Sequence, residues 1–182
     1  MEWEDIAISG TDSAKLPVVT MTNGLTIRLV DPYDMDNAKK YVKQLMPTIE
    51  NLKWNGFETI VVPATKPIPI AWHFALAFNL NLVVLKKEQK PYSEVYKTFE
   101  CQSITSSAPN TMFITRRDYE NINGKKIIFF DDVISSGATY EAAKKFITVD
   151  CGSSEIRSLF IFKEGDAYKE GKEVTYLGKL PF

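Results

Sequence analysis

The most constraining feature of the sequence is a short apolar run that ends in two acids and a turn of small residues. Residues 126–130 read KIIFF, and only the first of them is polar. An uninterrupted apolar run predicts a strand that is buried on both faces, as in a parallel sheet covered by helices on each side. Asp131 and Asp132 follow directly. The strand therefore delivers two carboxylates to the carboxyl end of the sheet, where open α/β proteins bind their ligands.

The rest of the chain alternates between apolar runs and helical patterns, which favours stacked βαβ units and a mainly parallel sheet. Pro47 lies within the first helical pattern and predicts a kink or a division there. Residues 87–110 are polar and lack a clear helical period, which predicts a mobile functional loop or a long twisted hairpin. Strands are predicted at 25–30, 59–62, 82–86, 126–130, 155–162 and 173–177, and helices at 34–55, 71–80 and 139–149.

Composition limits the classes of function. A chain of 182 residues with 45% hydrophobic content predicts one domain over residues 1–182. Its net charge of -1 argues against binding nucleic acid through bulk electrostatics. Neither a signal peptide nor an apolar run long enough to span a bilayer is visible, so no membrane partner is expected. Cys101 and Cys151 lack metal-ligand spacing, which predicts free thiols and a cytoplasmic location.

The turn after the acids has the composition of a phosphate site. Its small residues open a predicted helix, so backbone N–H groups, the helix dipole and three hydroxyls are available to an anion. Asp131 and Asp132 suit the paired hydroxyls of a ribose, and hold Mg²⁺ through those hydroxyls or through water. The structural alternative is that these residues only end a strand and cap a helix. The residues of the turn are Ser135, Ser136, Gly137, Ala138 and Thr139.

The string KIIFFDDVISSGAT resembles the phosphoribosyl pyrophosphate (PRPP) signature of type I phosphoribosyltransferases, which runs as four apolar residues, two acids, two apolar residues and a small-residue loop ending in Thr. The resemblance implies an α/β fold with a central, mainly parallel sheet flanked by helices, a flexible loop and a small hood. We expect the hood from residues 1–24 and 163–182. The resemblance also implies that the acids hold the ribose hydroxyls, that residues 135–139 hold the 5-phosphate, and that the protein is a homodimer.

A second resemblance lies upstream, in the run TIVVPATKPIPIAWHFALAFNLNLVVLKK. It is similar to a strand, turn and helix of adenine and xanthine phosphoribosyltransferases and of the PRPP-binding domain of bacterial purine operon repressors. In those proteins the turn binds pyrophosphate through backbone N–H groups. Here the turn is Ala64, Thr65, Lys66 and Pro67. Pro67 stands where the family has glycine and removes one donor, which leaves open a cis Lys66–Pro67 bond or a weakened pyrophosphate site.

Pyrophosphate requires cations, and the candidates are Lys66, Lys87, Arg116 and Arg117. The alternative for each is a solvated surface charge. Lys66 and Arg117, together with the two acids, are the residues that we assign to catalysis.

The base pocket is expected on Val133 and Ile134, and Lys163 aligns with a lysine near the base of xanthine enzymes. Glu100 lies in the region where adenine enzymes carry a loop glutamate that assists proton movement. Hypoxanthine-guanine enzymes have an aspartate at the position of Ser135, whereas adenine and xanthine enzymes have a small residue there. Ser135 therefore favours the adenine or xanthine type.

Three functions remain open from the sequence. The first is a purine phosphoribosyltransferase that uses PRPP, a purine base and Mg²⁺. The second is a regulatory protein that binds PRPP without turning it over, which the repressor-like turn and Pro67 favour. The third is a phosphoribosyltransferase for orotate or another base.

Overall fold

A five-stranded parallel sheet forms the centre of the protein. The computed structural model describes residues 2–22, 24–92, 94–101, 110–169 and 171–181. All neighbouring strands of the sheet run parallel, which confirms the predicted class. Across the sheet, the strands are β10 (Val174–Leu180), β9 (Glu155–Glu164), β8 (Lys126–Ile134), β4 (Phe57–Pro63) and β5 (Asn81–Leu85).

Helices cover both faces of this sheet, as the continuous apolar run in β8 requires. Ile128 and Phe130 pack into one core beneath α1 (Met35–Trp54) and α2 (Ile68–Phe78). The alternate residues of the same strand pack into a second core on the other face. That second core lies beneath α4 (Ala138–Lys145), which continues into a π-helical turn (Phe146–Asp150). The period of two along a strand thus divides one apolar run between two cores.

Helix α1 runs without a break through Pro47, so the predicted division there is wrong. The helix begins after Asp34, whose carboxylate accepts the N–H groups of Asp36 and Asn37. A proline inside a helix costs about 3 kcal/mol through its missing donor and its ring. A long stripe of buried side chains on both sides of the proline, from Ala38 to Ile49, outweighs that local penalty by packing on the sheet.

The amino-terminal residues form a separate antiparallel sheet of β1 (Glu2–Ala7), β2 (Ser13–Thr20) and β3 (Thr26–Arg28). Strand β3 extends this sheet past residue 24, the boundary expected for the hood, and the hood itself stays a prediction. The carboxyl-terminal boundary differs from the expectation, since β10 is the edge strand of the main sheet. Leu177 and Leu180 of this strand pack into the first core, whereas Val174 and Tyr176 pack against the second, so most of the tail belongs to the main sheet.

The polar segment 87–110 contains half of a hairpin. Strand β6 (Lys97–Cys101) pairs antiparallel with β7 (Asn110–Ile114), and a short helix α3 (Arg116–Glu120) follows. This agrees with the hairpin alternative, while residues 93 and 102–109 lie outside the described residues. Among the described helices, none is both long and apolar enough to cross a membrane. Cys101 and Cys151 are buried and unpaired, as free thiols.

Candidate functional site

The main cavity lies at the carboxyl ends of β4 and β8 and has a volume of about 410 Å³. The chain leaves β4 for β5 on one side and leaves β8 for β9 on the other, so the sheet order reverses between these two strands. Such a switch point is where open α/β sheets bind ligands. β4 pairs with β8 only as far as Val61 and Phe129, and the strands separate before the acids. The cavity occupies the resulting gap.

Asp131 and Asp132 lie on β8 beside this gap and line the cavity. Each carboxylate accepts the N–H of the next residue, at 2.9 Å from Asp132 and 3.0 Å from Val133. Burial raises the pKa of the Asp131 carboxyl well above its usual range, and the charge of Asp132 raises it further. Two crowded carboxylates favour a partner that carries hydroxyl donors or positive charge.

The small-residue turn lines the cavity at the start of α4. Gly137 precedes the helix with φ +79°, a left-handed conformation that favours glycine. A second reason for glycine is steric, because a Cβ at Gly137 would lie 2.7 Å from Cε2 of Tyr168 and closer still to Cδ2. The ring of Tyr168 adds a constraint from within the protein.

The turn after β4 forms the opposite wall, through Ala64, Thr65, Lys66 and Pro67. The structure has a cis peptide between Ala64 and Thr65, whereas the sequence suggested one between Lys66 and Pro67. Pro67 is buried and caps α2 at its amino end, and Pro69 lies in the first turn. Neither proline has a backbone N–H. The N–H of Ile68, which lies between them, donates to Thr65 O at 3.3 Å. The start of α2 therefore offers an anion fewer donors than an ordinary helix does.

Two of the four predicted cations reach the cavity. Lys66 Nζ lies 3.5 Å from Asp132 Oδ2, and Lys87 lines the wall. Arg116 and Arg117 do not line it, because they begin α3, and the guanidinium of Arg116 lies 5.0 Å from the ring centroid of Tyr96. The position of α3 is set by packing after the β6–β7 hairpin, which the local sequence does not reveal.

The comparisons with known proteins agree with this geometry. A sequence model described as the phosphoribosyl transferase domain matches residues 33–179, which is most of the chain. The chain belongs to the phosphoribosyltransferase family. This match confirms the family and the enzyme class predicted from the acids and the small-residue turn. No curated protein matches the sequence.

Solved structures of similar fold include adenine phosphoribosyltransferases from several organisms. Adenine phosphoribosyltransferase from Rhodothermus marinus superimposes with a TM-score of 0.71 at 15% identity, covering 91% of this chain and 94% of that one. The adenine enzyme from Thermoanaerobacter pseudethanolicus superimposes with a TM-score of 0.68 at 16% identity, covering 91% of this chain and 95% of that one. The adenine enzyme from Trypanosoma brucei superimposes with a TM-score of 0.56 at 13% identity, covering 75% of this chain and 58% of that one. At these identities the similarity concerns the fold, which is the type I phosphoribosyltransferase fold.

The remaining predicted residues of this phosphoribosyltransferase divide between the cavity and its surroundings. Val133 and Ile134 line the cavity next to the acids. Lys163 is buried beside Ile134 in the sheet and does not line the cavity, although the next residue, Glu164, lines it. Glu100 is exposed on β6 opposite Thr111 and does not line it either.

Sequence patterns did not predict which residues of the amino-terminal sheet reach this cavity. Arg28 on β3 lines it, with Nε 2.9 Å from Glu4 Oε2 and Nη1 donating to Pro181 O at 3.2 Å. A lone arginine inside an apolar predicted strand was the available signal. Whether Arg28 reaches the cavity depends on how the amino-terminal sheet packs against the main sheet. Other wall residues without a predicted role include Leu25, Ile27, Leu29, Val30, Cys101, Asn110, Met112, Tyr140, Phe160, Glu164 and Leu180.

The donor set fits a magnesium ion that arrives with its substrate. Within the described residues, no group of three or more His, Cys, Asp or Glu side chains forms a cage for a metal ion. Mg²⁺ does not need such a cage, since it keeps several waters and binds through one or two carboxylates plus substrate phosphates. Asp131 and Asp132 lie beside the turn that carries Gly137 and would hold the ion through water or through the hydroxyls of a bound ribose.

Proposed function

We propose that the protein transfers the 5-phosphoribosyl group of PRPP to a purine base of the adenine or xanthine type, giving a nucleoside monophosphate and pyrophosphate. The observation that carries the proposal is one cavity lined by both acids, by the turn that opens α4 and by the turn that opens α2. PRPP has a ribose with two free hydroxyls between a 5-phosphate and a pyrophosphate. The Trypanosoma brucei enzyme of similar fold was solved with AMP, pyrophosphate and ribose 5-phosphate, which supports binding of a phosphoribosyl group and pyrophosphate here.

The acids bind the ribose in this proposal. Asp131 and Asp132 accept hydrogen bonds from the two ribose hydroxyls, and the ligand separates Lys66 from Asp132. The turn around Gly137 donates backbone N–H groups to the 5-phosphate, with the positive end of the α4 dipole behind it. Both contacts hold the ribose ring so that its C1 atom faces the base.

The leaving group is stabilised by side-chain charge more than by backbone donors. Lys66 and Lys87 line the wall where pyrophosphate departs. Positive charge there lowers the energy of the transition state, in which the C1–O bond loosens and negative charge develops on the pyrophosphate. Asp131 and Asp132 would hold Mg²⁺ through the ribose hydroxyls or through water, and the bound ion would supply further positive charge to the pyrophosphate. Arg116 and Arg117 start away from the cavity, so their predicted role requires α3 or its surroundings to move toward bound PRPP.

The base lies on Val133 and Ile134 beneath the hood. Ser135 lines the cavity at the position where hypoxanthine-guanine enzymes carry an aspartate. A hydroxyl does not accept the proton of a base nitrogen as a carboxylate does. This difference supports an adenine or xanthine substrate over hypoxanthine or guanine.

The proposed assembly is a homodimer formed through α2. This helix carries no charged side chain from Ile68 to Phe78, yet Trp72 is 57% exposed and Leu76 is 71% exposed. His73 is the exposed polar residue on this side of the helix, and a helix surface that is otherwise apolar is normally covered. A two-fold axis would place this uncharged face on its own copy without like-charge repulsion. Light scattering should report a dimer for the wild type and a monomer for Trp72→Lys with Leu76→Lys. The proposed compartment is the cytoplasm, where Cys101 and Cys151 stay reduced.

The test of the function is an assay of five bases with PRPP and Mg²⁺: adenine, xanthine, hypoxanthine, guanine and orotate. Turnover of adenine or xanthine, with pyrophosphate released in equal amount, is the expected result. Turnover of orotate alone would contradict the purine assignment. If no base reacts while PRPP still raises the melting temperature, transfer is contradicted and the protein binds PRPP as a regulatory ligand.

A further inference from the structure

The loop between β9 and β10 is tied to α4 at two points. We call its described residues, 165–169 and 171–173, the β9–β10 strap. Tyr168 Oη donates to Glu141 Oε1 at 2.8 Å, and the Glu173 carboxylate forms an ion pair with Lys144. Both partners lie on the helix that begins at the small-residue turn. The strap therefore restrains the helix whose amino end faces the cavity.

The ring of Tyr168 reaches the turn itself. Tyr168 is only 8% exposed, and it packs edge-on against Tyr140 with ring centroids 5.9 Å apart. Its ring occupies the space where any side chain at Gly137 would begin, with Cγ 3.0 Å and Cε2 2.7 Å from a Cβ built there. Tyr168 is not among the residues that line the cavity. Tyr168 therefore contacts the turn without forming part of the cavity wall.

The hydroxyl of Tyr168 adds a hydrogen bond to the packing that holds the ring. Burial raises the pKa of the phenol, and the bond to Glu141 raises it further, so the hydroxyl remains a donor. The Glu141 N–H in turn donates to Gly137 O at 2.8 Å, which closes the first turn of α4. The ring, the carboxylate and the glycine carbonyl thus form one connected set around the turn.

We propose that Tyr168 is a positioning residue for the 5-phosphate: its ring holds Gly137, and with it the N–H groups of residues 135–139, in the geometry that binds the phosphate. The assignment rests on the proposed function, because that function places the 5-phosphate at this turn. Small displacements of a preorganised anion site reduce affinity strongly. Tyr168 acts through Gly137 and contacts no substrate.

The test compares the binding of two ligands to the full chain by calorimetry. Ribose 5-phosphate probes the turn at Gly137, and inorganic pyrophosphate probes the opposite wall. We expect Tyr168→Ala to weaken ribose 5-phosphate binding by about 10- to 100-fold and to leave pyrophosphate binding unchanged. Tyr168→Phe keeps the ring and should lose less than about threefold. Tyr33→Ala, at a tyrosine that is 68% exposed, is the matched control and should bind both ligands as the wild type does.

The outcomes separate the two proposals. Equal ribose 5-phosphate affinity in folded Tyr168→Ala and the wild type would overturn the role of Tyr168 alone. An equal loss of both ligands would also overturn it, since it would indicate a general loss of structure. A wild type that binds no ribose 5-phosphate would overturn the proposed function, and the role of Tyr168 with it. If Tyr168→Ala does not fold, Tyr168→Leu replaces it, and the same comparison decides.

Discussion

Lys66 Nζ lies 3.5 Å from Asp132 Oδ2, so a single ion pair joins the two walls of the cavity. Lys66 belongs to the turn at the start of α2, and Asp132 belongs to β8. The lysine side chain is half exposed, whereas that of the aspartate is 14% exposed. The ammonium group thus neutralises one of two crowded carboxylates when no ligand is bound. PRPP would replace this contact with ribose hydroxyls on the acid side and pyrophosphate on the lysine side.

Replacement of Lys66 should separate pyrophosphate affinity from ribose affinity. We expect Lys66→Gln to weaken pyrophosphate binding by about tenfold or more, because one charged hydrogen bond to the anion is lost. Binding of ribose 5-phosphate should change little. Calorimetry with each ligand measures both effects, and Lys90→Gln, which removes an exposed pair with Glu88, is the control. Equal affinity for pyrophosphate in Lys66→Gln and the wild type would contradict the role of Lys66.

Neutralising both acids should abolish turnover and keep the fold. We expect Asp131→Asn with Asp132→Asn to lower kcat/KM by about 1,000-fold, through lost contacts to the ribose and to Mg²⁺. The melting temperature should be unchanged or higher, since the variant also removes repulsion between two neighbouring carboxylates. Steady-state kinetics and thermal unfolding measure the two quantities. Asp36→Asn, at a side chain that is 93% exposed, is the control. Retained activity in the double variant would remove the central assignment.

Pro67 lacks a backbone N–H donor in the turn that opens α2. Glycine at this position should therefore increase the affinity for pyrophosphate. We expect Pro67→Gly to bind pyrophosphate about threefold more tightly, because it restores a backbone donor at the start of α2. The free energy of unfolding should fall by about 1 kcal/mol, because glycine leaves the unfolded chain freer. Calorimetry and urea unfolding test the pair of effects, with Pro91→Gly in an exposed segment as the control. Weaker pyrophosphate binding would show that Pro67 holds the turn in its binding shape.

The Lys144–Glu173 pair should make stability depend on pH. The hydrogen bond from Lys144 holds the pKa of Glu173 below its usual value, so the ionised carboxylate stabilises the folded state. This contribution is present above the unfolded-state pKa and is lost as the pH falls through the folded-state pKa. We expect Glu173→Gln to lower the free energy of unfolding by about 1 kcal/mol at pH 7, and by little at the acidic end.

Urea unfolding of the wild type and Glu173→Gln across the acidic range measures this difference. Glu88→Gln removes a surface pair with Lys90 and should leave stability unchanged at every pH. If Glu173→Gln lowers the free energy of unfolding by the same amount at pH 7 and at acidic pH, the stabilisation does not come from the carboxylate charge.

The sequence by itself determined the central strand and the walls attached to it. Residues 126–139 combine an apolar run, two acids and a small-residue turn, and each of these signals acts within a few residues of the chain. Hydrophobic periodicity therefore predicts the strand, its two buried faces and the site at its end. The turn at Lys66 was located by its resemblance to the corresponding turn of known phosphoribosyltransferases.

Only the tertiary structure decided which distant residues meet this site. Tyr168 contacts Gly137 from 31 positions away, and Arg28 reaches the cavity from a second sheet. Arg116 lies away from the cavity even though its charge made it a candidate. Helix α1 continues through Pro47 because packing on the sheet outweighs a local penalty. Periodicity reports the face on which a side chain lies, whereas contacts between elements depend on how loops and sheets pack together.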